Sequence, residues 1–150
     1  MRVFQTRDLF DEVLGSTTKW GRTLEAIDAS PELTEGVAYS VGDSLTYRRA
    51  GTADLATSDF VGRRRYHLVV APTAGDVDVE IAAKGDLVPV EQYSDLTDRE
   101  RFSGSGQTVR IPQDAVLIVD VDEAARIHPD PDSSAVVLHV TVEGATFHNK

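Results

Sequence analysis

The chain has no cysteine among its 150 residues, which removes disulfide staples, thiolate metal ligands and cysteine nucleophiles together. A metal site would have to be built from histidine and carboxylate. The four histidines, His67, His128, His139 and His148, are widely spread, and no pair shows the short spacing of a preformed site. Positive charge is scarce: 15 Lys and Arg stand against 25 Asp and Glu, a formal −10. Repulsion of that size argues against phosphate backbones and anionic lipid, so neither nucleic acid nor membrane is an expected partner. No apolar run approaches the ~20 residues of a membrane span. The opening MRVFQTRDLFDEVL sets Asp8, Asp11 and Glu12 where a secretory signal needs an unbroken apolar stretch, so the expected location is cytoplasmic. Nucleophile elbow, phosphate-binding loop and dinucleotide fingerprint are all missing; Gly104-Ser105-Gly106 lacks the strand-turn-helix context and reads as a turn.

What is present suffices for one ordinary core, since 41% of residues are hydrophobic, and a single domain over 1–150 is expected. Helical signals are confined to the start. Thr6 is placed to cap a short helix over 7–14, with Leu9, Phe10, Val13 and Leu14 as its apolar stripe and Gly15 as its stop. A second helix follows Ser16 or Thr17, where Trp20, Leu24 and Ile27 recur at i, i+4, i+7 and Pro31 marks the end. Its weak point is Gly21, which costs about 1 kcal/mol relative to Ala inside a helix.

After Gly36 the period changes to two. Val37, Tyr39 and Val41 alternate with Ala38 and Ser40, and Gly42-Asp43 suits a hairpin turn into 44–48. Further strands are predicted over 65–71, 77–82, 87–93, 107–111, 115–121 and 135–142, separated by Pro, Gly and Asp turn signals, while the polar stretch 49–59 reads as a surface loop. Eight short strands imply a closed or double-sheet antiparallel fold, because one open sheet would expose an apolar face and two edges.

Local motifs carry little chemistry alone. Arg63-Arg64-Arg65 has the guanidinium forks to grip a carboxylate, phosphate or acidic surface, but a loop-to-strand junction paired with some of the many acids is the plainer reading. Asp76, Asp78 and Glu80 share one strand face and lack the loop glycine of a calcium site, which leaves a solvated face. Asp120, Asp122 and Glu123 close an apolar strand, where paired carboxylates do acid and base work only if burial splits their pKa values. His139 sits mid-strand between Leu138 and Val140, as a core histidine or a ligand.

Larger blocks are more specific. Lys19-Trp20, Gly36-Val37-Ala38, Ser40-Val41-Gly42-Asp43-Ser44-Leu45-Thr46-Tyr47-Arg48, Gly62-Arg63-Arg64-Arg65-Tyr66, Thr97-Asp98-Arg99-Glu100, Asp120-Val121-Asp122-Glu123-Ala124, Val140-Thr141-Val142-Glu143 and Phe147-His148-Asn149-Lys150 follow one another in the order of a known family. Through them the chain resembles the beta subunits of evolved (cryptic) beta-galactosidases, a branch of the YhcH/YjgK/YiaL family of cupin-like proteins. The resemblance implies a mainly β, double-stranded β-helix (jelly roll, cupin-like) with the two N-terminal helices packed outside. It also implies a partner, a large glycoside hydrolase chain (the alpha subunit) that holds the acid and nucleophile carboxylates. The small chain would then be a non-catalytic accessory subunit in carbohydrate metabolism, with a sugar as the conceivable occupant of its own cavity.

The broader family suggests a cavity metal, with ligands after the glycine of Gly-His-Arg-Arg-Tyr, on the following strand, and at the His of Asp-x-His-Glu-Ala. Those places hold Arg63, Leu68 with Val70, and Asp122 here, and a family lysine position holds His139. Guanidinium and alkyl groups offer a cation no lone pair, so no cofactor or metal is expected. Asp120 and Glu123 are not expected to make up the set, since neighbours on a strand face opposite ways. The same alternation predicts that Tyr66, Leu68, Val70, Asp120, Asp122 and His139 point into a shared cavity with Arg63 at its mouth. The alternative function is a stand-alone, metal-free sugar isomerase or mutarotase-like enzyme using Arg63, Asp122 and His139 for proton transfer. Protein purified without chelator is expected to carry well under one transition metal per chain by elemental analysis; one tightly held zinc, nickel or copper, lost in Asp122→Ala, would contradict the ligand count.

Overall fold

Thr6 Oγ1 accepts the backbone N–H of Leu9 at 3.1 Å and so starts helix α1 (Arg7–Leu14), as the capping signal requires. Helix α2 (Thr18–Ala29) buries Trp20, Thr23, Ala26 and Ile27 and passes into a 3-10 turn (Ser30–Glu32) at Pro31. Gly21 has a reason to be glycine: a Cβ there would lie 3.1 Å from the carbonyl oxygen of Gly15, so α1 and α2 approach closely at that point. The computed structural model describes residues 1–42 and 45–142. The second half of the expected Gly42-Asp43 turn, His148 and the terminal Phe-His-Asn-Lys block lie outside the described residues.

The remainder is mainly β. Strands β1 (Arg2–Phe4), β2 (Ala38–Val41), β3 (Leu45–Gly51), β5 (Tyr66–Ala74), β10 (Val116–Val119) and β12 (Ser134–Thr141) form one antiparallel sheet in the order β1-β10-β5-β12-β3-β2. Strands β4 (Phe60–Gly62), β6 (Val77–Ala83), β7 (Val88–Ser94), β8 (Arg99–Ser103), β9 (Gln107–Ile111) and β11 (Glu123–Ile127) form the other in the order β7-β8-β4-β11-β6-β9. Alternation divides the first sheet between two cores. Val69, Ala71, Val116, Ile118, Val136, Leu138 and Val140 face Phe10, Trp20, Ala26 and Ile27 of the helices. Val70, Leu117, Val119, Ala135 and Val137 face Val77, Val79, Ile81, Ile111, Ala125 and Ile127 of the second sheet. The layers therefore run helices, sheet, sheet, a β-sandwich with α1 and α2 packed outside. No helix among the described residues is long and apolar enough to cross a membrane.

Four strands escape the sequence pattern. β1 and β4 have only three residues each, too few to show a period. β8 hides its buried face behind Glu100 and β11 reads Glu-Ala-Ala-Arg-Ile, a composition poor in branched and aromatic residues. The expected loop over 49–59 is corrected as well: β3 continues to Gly51 and a short helix α3 (Thr52–Leu55) follows. Its Thr52 is buried because the hydroxyl bonds the backbone of Asp130 and the hydroxyl of Ser133. The strand expected over 115–121 ends at Val119, which leaves Asp120, Val121 and Asp122 in a turn.

The acidic face of β6 is not simply solvated. Asp78 forms a two-pronged pair with Arg110 at 2.9 and 3.1 Å, and Asp76 is exposed in the turn before the strand. Glu80 is only 7% exposed. Its carboxylate accepts from Arg126 Nε at 2.9 Å and from the Gly106 N–H at 2.7 Å, and lies 3.0 Å from His128 Nε2. The Arg126 guanidinium, helped by His128 and Gly106, holds the Glu80 carboxyl down at about 2 against burial. The unfolded chain protonates this group near 4.5. The network's contribution to stability is therefore complete above that pH and is lost as pH falls from there towards 2. Glu80→Gln is expected to lower stability by about 2 kcal/mol at neutral pH and to flatten this acid limb, both read from urea unfolding between about pH 2 and 7.

Candidate functional site

A cavity of about 310 Å³ opens between the two sheets. The register explains which side chains reach it. Val137 of β12 stands opposite Arg48 of β3 and Val70 of β5, and His139 stands opposite Leu68, so Arg48, Leu68, Val137 and His139 share the inner face with Tyr66. From the second sheet, Val61 of β4 and Arg99 of β8 face them, followed by Arg63 just beyond β4.

The bend from β4 into β5 sorts the three arginines. Asp98, in the turn between β7 and β8 at φ 51°, is 3% exposed, and its carboxylate accepts the N–H of Arg64 at 3.0 Å, the N–H of Arg65 at 3.1 Å and the Tyr93 hydroxyl. Burial opposes that charge, but the Tyr93 hydroxyl and the two N–H groups outweigh it and hold the carboxyl below its usual range. Arg64 turns outward onto Glu100 and stacks 4.2 Å over the Tyr93 ring, while Arg65 donates to the Asp95 carbonyl at 2.6 Å. Of the three, Arg63 alone turns into the cavity, where it makes a long hydrogen bond, 3.4 Å, to the Asp98 carbonyl. The junction reading thus describes Arg64 and Arg65, and the cavity takes Arg63.

Of the residues expected at the cavity, Arg63, Tyr66, Leu68, Asp120 and His139 line it. Val70 lies in the core between the sheets rather than on the lining. Asp122 is a correction: it is exposed and does not line the cavity, because β10 has ended and strand alternation no longer governs the turn. Glu123 lines it instead. The proton-transfer trio of Arg63, Asp122 and His139 is therefore not assembled on one surface. The same turn overturns the expectation that Asp120, Asp122 and Glu123 point apart, since their ligand oxygens all lie within 4.8 Å of one another. Two of them hold the Met1 amine, at 3.2 Å from Asp120 and 2.6 Å from Glu123. Arg63 and Leu68 in the cavity lining offer a cation no lone pair.

Arg48 and Arg99 were not anticipated. Arg48 lies in the middle of β3, and its inward direction is fixed by the pairing with Val137; Arg99 lies on a strand whose period is masked by charge. Among the described residues neither makes a salt bridge, and the Arg99 Nε is buried without a hydrogen-bond partner. Arg63 likewise has no carboxylate at salt-bridge distance among the described residues. Desolvation and the nearby Arg99 charge push the Arg63 pKa down, with Asp98 opposing. His139 feels the same surroundings: burial first, then the Arg63 charge, with Arg48 and Arg99 adding, push it down to about 3. The imidazole is neutral at physiological pH and offers a donor and an acceptor.

No protein-family model matches the chain.

His139 is expected to remain neutral from pH 8 to about 4, with imidazole NMR resonances that do not move over that range; a midpoint near 6.5 would contradict the burial. The unfolded chain binds a proton that the folded chain refuses, so stability is expected to fall as pH drops from 6.5 towards 3, and His139→Leu should remove that component.

Proposed function

We propose that this chain is a non-catalytic accessory subunit that docks on a large glycoside hydrolase of the beta-galactosidase type and supports its full activity, in cytoplasmic carbohydrate metabolism. The sequence blocks support the family. The strand order supports the finer fold: β3, β4, β5, β6, β9, β10, β11 and β12, numbered one to eight, lie as 6-3-8-1 in one sheet and 2-7-4-5 in the other, the order of a jelly roll.

The observation that carries the docking role is the edge of the second sheet. Among the described residues β7 is paired on one side only, by β8, and its Val88 and Val90 are 63% and 49% exposed. Leu96, in the turn that follows, is 93% exposed. An edge strand with free backbone groups and protruding apolar side chains is a surface suited to another chain. Pro89 and the register shifts along β7 limit its pairing with copies of itself. The acids at the cavity support an accessory role too, since Asp120 and Glu123 share one ammonium and are not held apart as a glycosidase pair would be. The cavity, on this reading, holds a small hydroxylated ligand while the large chain performs hydrolysis.

Co-expression with a large glycoside hydrolase of the beta-galactosidase type is expected to give a complex more active than the large chain alone, and the purified small chain is expected to hydrolyse no galactoside. Val88→Asp with Val90→Asp should weaken co-purification about tenfold or more while leaving the melting temperature within about 2 °C. Hydrolysis by the small chain itself, or a complex indifferent to the double substitution, would overturn the reading.

A further inference from the structure

The inner face of the cavity carries a charge arrangement that stability alone does not explain. Arg48, Arg63 and Arg99 come from three separate segments, β3, the β4–β5 bend and β8, and line one space of about 310 Å³. In a chain with ten more acids than bases, partners for three guanidinium groups are plentiful, and Arg64, Arg101, Arg110 and Arg126 each have one. Among the described residues, none of the three in the cavity has a carboxylate at salt-bridge distance, and Arg63 has only the long bond to the Asp98 carbonyl. A buried donor left unpaired costs about 1–3 kcal/mol, and the Arg99 Nε is such a donor. Gathering like charges in a partly desolvated cavity adds to that cost, which a bound anion would offset.

We propose that this cavity is a binding site for a small hydroxy acid, with Arg48, Arg63 and Arg99 gripping its carboxylate. The inference rests on the cavity being the ligand-binding part of the accessory subunit, and deepens that reading by naming the ligand's chemistry. A planar carboxylate matches the guanidinium fork with two parallel hydrogen bonds. Asp54, Asp120 and Glu123 line the same cavity and oppose a second negative charge, which favours a carboxylate over a phosphate dianion. Those acids, the Tyr66 ring and the neutral His139 imidazole suit the remainder of such a molecule: carboxylates accept from hydroxyls, and an imidazole both donates and accepts. The volume lies at the small end of ligand pockets, the size of a single metabolite rather than an oligosaccharide.

The test is calorimetric titration and thermal melting of the full chain with gluconate, galactose and inorganic phosphate as probes. Gluconate is expected to bind and to raise the melting temperature, and galactose and phosphate to bind at least tenfold more weakly. Arg99→Gln and Arg63→Gln should each weaken gluconate at least tenfold, and Arg110→Gln, whose side chain pairs with Asp78 outside the cavity, should not. Arg99→Gln should also raise the melting temperature of the ligand-free chain by about 2–4 °C, because it removes a half-buried cation whose Nε lacks a partner; a structural arginine would give the reverse. Galactose binding as tightly as gluconate, and unaffected by Arg99→Gln, would overturn the carboxylate site while leaving a ligand-binding subunit in place. Tighter binding of phosphate, or no binding of any probe, would overturn it too.

Discussion

One buried carboxylate determines where the chain's chemistry goes. Asp98 occupies a left-handed backbone conformation that aspartate tolerates better than most residues, and from there captures the N–H groups of two consecutive arginines. Those groups lie on the bend between β4 and β5, where no strand partner serves them. By fixing the bend, Asp98 fixes its parity: Arg64 falls on the outer side over Glu100 and Tyr93, and Arg63 is left facing inward. A bend one residue earlier or later would exchange them. The interaction is thus structural in its bonds and functional in its result, since the inward guanidinium owes its direction to a residue on another strand pair.

The outer face of the second sheet and the cavity between the sheets treat buried charge in opposite ways. On the outer face, Glu80 has Arg126, His128 and the Gly106 N–H around one carboxylate, with Arg126 also stacked over the Phe60 ring at 4.3 Å. Both carboxylate oxygens have donors there. In the cavity, Arg48, Arg63 and Arg99 have no carboxylate at salt-bridge distance among the described residues, although Asp54, Asp120 and Glu123 line the same space, and the histidine among them is held neutral. Fully satisfied networks fix a structure, whereas incompletely satisfied ones concentrate where a molecule is to be met. The contrast between the two locates the site more sharply than the cavity's shape does.

Both helices, the long strands and the double-sheet arrangement are legible in the sequence because each buries a face whose period survives in the residue pattern. Thr6, Pro31 and the alternation through 65–71 are read directly. β8 and β11 are not, because Glu100 and Arg126 occupy positions that partners render burial-tolerant, and those partners are distant in sequence. Site residues divide in the same way. Arg63, Leu68 and His139 are picked out by the resembling blocks, and strand parity counted from Leu68 adds Tyr66 and Asp120. Asp122 fails because parity was carried past the end of β10 into a turn. Arg48 and Arg99 need the register between strands, which local sequence does not hold.

The placement of the first strand has a consequence for synthesis on the ribosome. Arg2, Val3 and Phe4 pair with Ile118, Leu117 and Val116, and the apolar stripes of α1 and α2 are covered by β5, β10 and β12. Residues 2–4 therefore wait for more than a hundred others before their partners exist, roughly 5–25 s at ordinary elongation rates. During that interval Phe10, Trp20 and Ile27 lack the cover that β10 and β12 give them in the finished fold. Asp8, Asp11, Glu12, Glu25 and Asp28 on the same two helices keep the nascent segment charged and apart from its neighbours, so the acidity of the N-terminal region protects a folding intermediate as well as the finished surface.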